Sequence, residues 1–143
     1  MTKSLWPDTI GTIKEVPPVA ILKEQAALLG EKTQNLVTAE VHSLADPGVN
    51  NFYDIFYLVA PALDNYRFEL FQVTRNVEQF YPLRIYSSTL DIKGQEIASE
   101  NELMKALTTI FSHYKTIKII QSMLAQSNAG VPIGVISTVA SVG

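Results

Sequence analysis

Ten of the thirteen aromatic residues lie between Phe52 and Tyr86, in runs where apolar and polar residues alternate. Aromatic side chains at that density need a broad surface to pack on, and a period of two puts every second one on the same face of a strand. A sheet therefore organises the fold. Val37, Ala39 and Val41 alternate with Thr38, Glu40 and His42, and the turn formers Asp46-Pro47-Gly48-Val49-Asn50-Asn51 follow. Phe52 to Ala60 reads as a central strand, Pro61 to Asn65 as a break, and Tyr66 to Arg75 and Leu83 to Thr89 as two further strands. Four strands in series with short connections predict a four-stranded antiparallel β-meander.

Helices are expected on either side of it in sequence. Pro17-Pro18 can open one and Gly30 can close it as a left-handed residue, giving a helix near 18–29 with Val19, Leu22, Ala26 and Leu29 on one face. Ser99 and Glu102 form a capping box, and no proline or glycine follows before about Gln126. That predicts one long C-terminal helix packed on the sheet. Its first half carries a stripe of Leu103, Leu107, Ile110, Phe111 and Tyr114 that continues to Ile117; in its second half Ile119 and Met123 point nearly the opposite way, with Ile120 and Leu124 flanking. A helix apolar on two sides needs two partners. A second copy of the chain, meeting Ile119, Ile120, Met123 and Leu124, is the expected one, with the apolar segment from Ala129 to Gly143 as the alternative. The fold class is α+β, with a single domain over 1–128 and an apolar, uncharged tail over 129–143.

At 143 residues the chain suits one core. The absence of cysteine removes disulfides, thiolate metal sites and cysteine nucleophiles, and a formal charge of −3 gives no attraction to nucleic acid or to an anionic membrane surface. No stretch approaches the ~20 apolar residues of a spanning helix, and the segment Met1 to Val16 lacks the apolar run of a secretory leader. A cytoplasmic location is expected. The chain has no G-x-S-x-G, Gly-rich phosphate loop, H-E-x-x-H or EF-hand pattern, which lowers the expectation of an enzyme. No metal or cofactor is expected either.

The three arginines, Arg67, Arg75 and Arg84, fall in the third and fourth predicted strands, while the eight lysines are spread elsewhere. Guanidinium groups grip carboxylates or phosphates and stack on aromatics, so Arg67 and Arg84, with Glu69, are candidates for meeting a protein partner or a small anionic ligand. The plainer reading of the same residues is a set of cross-strand pairs with Glu69 or Glu78. His42, Asp54 and Arg67 could instead converge in a cleft between sheet and helix lined by Tyr53, Tyr57 and Phe68, as a small-molecule site or weak hydrolase; the ordinary alternative is a surface imidazole bonded to a neighbour. A one-residue slip exchanges the two faces of a strand, so the face that carries His42 and Asp54 stays open at this level. The leading expectation is a non-enzymatic protein-binding or assembly module, homodimeric, with the small-molecule cleft as its alternative.

Overall fold

The computed structural model describes residues 3–12, 15–46 and 48–130. From Val131 on, the expected apolar tail lies outside the described residues. The fold is α+β: an N-terminal helix, a five-stranded antiparallel meander, and two C-terminal helices packed on it.

Helix α1, Pro18–Lys32, starts as expected, with Pro17 at its N-cap and Pro18 in the first turn, where no N–H is needed. It runs past Gly30 to Lys32. Gly30 is buried within the helix, and a Cβ there would stand 2.9 Å from Asn35 Oδ1 and 3.6 Å from Thr38 Cγ2. The glycine thus permits a close approach to the start of the sheet, and the left-handed positions after the helix are Gln34 and Asn35.

The strands are β1 Thr38–Asp46, β2 Asn51–Ala60, β3 Tyr66–Asn76, β4 Leu83–Ser87 and β5 Ile92–Ile97, in that spatial order. The fifth strand corrects the expectation of four. Between Ile92 and Ile97 it carries Lys93, Gly94, Gln95 and Glu96, so its sequence looks like a polar loop; as an edge strand it has only one neighbour to satisfy.

Pairing settles the register. Val41, Phe56 and Phe71 share one row, as do Ser43, Asp54, Val73 and Ile85, and this is the face the helices cover. Phe56 and Phe71 stack at 4.9 Å between centroids, and Phe111 tilts against both at 5.4 and 6.2 Å. Leu22 of α1 and Leu103 and Ile110 of the C-terminal part are fully enclosed around them.

The single long helix is replaced by two, α2 Glu100–Ser112 and α3 Tyr114–Ala129, with His113 between them in extended conformation (ψ 138). The capping box at the start of α2 is present: Ser99 Oγ accepts from Glu102 N at 3.2 Å and Glu102 Oε2 from Ala98 N at 2.9 Å. The break needs no proline. Thr108, Thr109 and Ser112 hydroxyls donate back to the carbonyls of Met104, Lys105 and Thr108, and the His113 ring accepts the N–H of Lys115 at 3.1 Å, which starts a new helix. Side-chain bonds of this kind compete with the helical ladder.

One non-helical residue rotates everything after it, and that accounts for the two-sided pattern. The inward stripe of α2 is Leu103, Ala106, Leu107 and Ile110; that of α3 is Thr116, Met123 and Ser127, with Ile119, Ile120 and Leu124 half-buried against the core. Tyr114 and Ile117, expected to continue the first stripe inward, are exposed. Met123 is 2% exposed in the chain's own core and so leaves the set of candidate interface residues.

Candidate functional site: the uncovered sheet face

The opposite face of the sheet carries rows that no described helix crosses. Thr38, Val59 and Arg67 form one; Glu40, Tyr57 and Glu69 the next; then His42, Ile55, Gln72, Tyr86 and Lys93; then Leu44, Tyr53, Thr74, Arg84 and Glu96. Four of the five candidate binding residues, His42, Arg67, Glu69 and Arg84, therefore share this face. The fifth, Asp54, is on the other. Ile55 and Val59 are buried here although they stand outside the core cluster, and half-buried Tyr53 and Tyr57 flank them. The result is a surface of aromatic bodies with polar tips, fixed by the strands beneath it.

At one end, Glu40 Oε1 lies 2.9 Å from Arg67 Nη2 and 3.0 Å from His42 Nε2, and the His42 ring meets the edge of Tyr57 at 5.2 Å. The hydrogen bond from His42 does most to hold the Glu40 carboxyl below its ordinary range; burial opposes it and the Arg67 charge assists. Arg67 thus pairs with Glu40 of the first strand rather than with Glu69 or Glu78. The Glu40 carboxylate orients its guanidinium while leaving it half-exposed at 49%.

At the other end Arg84 donates to the Gly94 carbonyl at 3.0 Å and stands 3.9 Å from Glu96. Arg67 and Arg84 are three rows apart, which is about 20 Å along the strands. They do not grip one small anion together. Between them Tyr86, 41% exposed, leans over Gly94, where a Cβ would meet its ring at 3.1 Å and where φ is +87. Beside Tyr86 a depression of about 470 Å³ is walled by Glu69, Gln72, Ser88, Asp91 and Lys93.

The expected cleft of His42, Asp54, Arg67, Tyr53, Tyr57 and Phe68 is divided by the sheet itself. Asp54 is fully buried on the helix face, accepting from Arg75 Nε at 2.5 Å, Arg75 Nη2 at 3.1 Å and Ser43 Oγ at 2.6 Å. Phe68 also faces the helices, opposite Leu58. Arg75, the arginine left out of the candidate set, lies 4.8 Å over the Phe52 ring and neutralises Asp54. Asp54 and Arg75 thus satisfy one another on the helix side of the sheet.

Among the described residues, no three His, Asp or Glu side chains come together to hold a metal ion, and no helix is long and apolar enough to cross a membrane. Compared with protein-family models, with curated proteins and with solved structures, the chain has no match.

Proposed function

We propose that the chain is a non-enzymatic protein-binding module whose contact surface is the uncovered sheet face. One observation carries the proposal: His42, Arg67, Glu69 and Arg84 fall on the one face of the sheet that no described helix covers, among Tyr53, Tyr57 and Tyr86. Tyrosine and arginine are the residue types that concentrate binding energy at interfaces, because they bury large rigid surfaces and keep a polar end to pair. The depression beside Tyr86 is walled by Glu69 and by the Asp91–Lys93 pair, so Glu69 is the carboxylate there that would meet a basic side chain of the partner.

The test is capture of partners from lysate by the immobilised full chain, compared with Arg67→Ala and Tyr86→Ala and with Lys105→Ala on α2 as a control. Both sheet-face variants are at exposed positions and should fold. A band lost with Arg67→Ala and Tyr86→Ala and kept with the control supports the reading; a band indifferent to all three sinks it. Self-assembly is a second reading, favoured by Ile119, Ile120 and Leu124, which stay half-buried on α3. Light scattering decides it: a monomeric mass across the concentration range removes the homodimer.

A further inference from the structure

On the helix side of the sheet, away from the surface just described, a groove of about 330 Å³ runs between α1 and the elbow of α2 and α3. Phe56 and Leu58 of β2 form its floor, and Phe111 closes the elbow side. Its rims are Leu28 on α1 and Ile117 on α3, large apolar side chains left 40% and 41% exposed. The volume falls within the range of small-molecule sites, roughly 300–1,000 Å³.

The polar groups around the groove divide in a telling way. Two threonines line it, yet both hydroxyls are committed: Thr33 Oγ1 donates to the Val37 carbonyl at 2.5 Å, and Thr116 Oγ1 to that of Ile110 at 2.7 Å. Gln25 adds one uncharged amide on α1, and the other uncharged walls are aliphatic or aromatic. One charged residue lines the groove, Lys32, and among the described residues it has no ion pair. Nor is its ammonium needed at the Gly30 carbonyl, which already accepts from the backbone N–H groups of Thr33 and Asn35. An apolar trough with a single unpaired cation at its end complements one kind of molecule. We propose that the groove binds an aliphatic carboxylate, its chain laid on Phe56, Leu58 and Phe111 and its head on Lys32.

The test is calorimetric titration of the full chain with the sodium salts of hexanoate to dodecanoate, each below its micelle-forming concentration. Affinity should rise about fourfold per added methylene until the groove is full, then level off. Lys32→Glu should weaken decanoate by about tenfold and leave decanol unchanged, because only the charged head meets that side chain. Ile117→Glu should abolish binding of both, and the exposure of both sites means the fold, read by circular dichroism, should persist. No saturable binding, or binding indifferent to chain length or to Lys32→Glu, overturns the proposal. Two further results overturn it by naming another occupant. If alkanoates bind only when residues 131–143 are removed, that segment fills the groove. A dimer that Ile117→Glu dissolves, in a chain that binds no alkanoate, would assign the groove to a second copy.

Discussion

Asp54 is the one formally charged side chain fully enclosed among the described residues, and its oxygens are bonded to Arg75 and Ser43. A buried pair of this kind contributes little net stability over an apolar replacement, while removing one partner leaves the other charge stranded. Asp54→Ala should cost about 3 kcal/mol in urea unfolding, and Asp54→Leu combined with Arg75→Met should recover most of it. Additive losses in the double variant would refute the coupling. Tyr81 has the opposite fault: its hydroxyl is buried with no partner. Tyr81→Phe should stabilise the fold by about 1 kcal/mol. Burial, aided by Glu100, also raises the Tyr81 pKa above its ordinary value of 10.0. A folded pKa above the unfolded one means full stability up to about pH 10 and a loss as pH climbs further; Tyr81→Phe should lose less than the parent there, measured by urea midpoints at neutral and alkaline pH. At this scale the sequence was partly legible. Asp54 stood out, but its partner depended on register, and Arg75 gave no sign of its own because a pair across to the neighbouring strand is invisible along the chain.

Among elements, the most exposed to error was the C-terminal helix. Proline and glycine are the strong breakers, and from Ser99 to Gln126 there is neither. The break at His113 comes from a weaker source, the hydroxyls of Thr108, Thr109 and Ser112 and a ring nitrogen that caps α3. A signal was present in the apolar stripe, whose phase jumps between Ile110 and Thr116; read as one helix, it looked like two faces. If the ring of His113 is the cap, His113→Ala should cost about 1 kcal/mol and His113→Asn only a few tenths, since asparagine supplies an acceptor at the same place. Equal loss in both variants would show that the ring's stacking on Tyr114, at 4.9 Å, matters more than its bond to Lys115. The missed β5 is the other element-scale lesson. Ile92 and Ile97 are its apolar residues, and an edge strand bounded by a turn gives too short an alternation to separate from a loop.

Across the whole molecule the aromatic density between Phe52 and Tyr86 was enough to place the sheet, and the capping box and the paired prolines were enough to place the starts of α1 and α2. Alternation put Arg67 and Glu69 on one face of β3, whereas the face of His42 needed the register, and Arg84 joins them only because of the bulge that shifts β3 against β2, since Arg67 and Thr74, the partner of Arg84, are an odd number of residues apart. Residues 3–12 take no part in that core. None of residues 3–12 is buried, and Leu5, Trp6 and Ile10 are 93%, 73% and 64% exposed. Trp6 is the only tryptophan in the chain, so its fluorescence reports on this arm alone. In the native protein its emission should already have the red-shifted maximum of a solvated indole, and it should hardly move through a urea transition that circular dichroism follows in full. A chain lacking residues 1–12 should unfold at the same midpoint, because residues 3–12 contribute no buried side chain. A blue-shifted native maximum would mean the indole is covered, and a shift that grows with protein concentration would identify the cover as another copy, giving the arm, rather than α3, the role of joining chains.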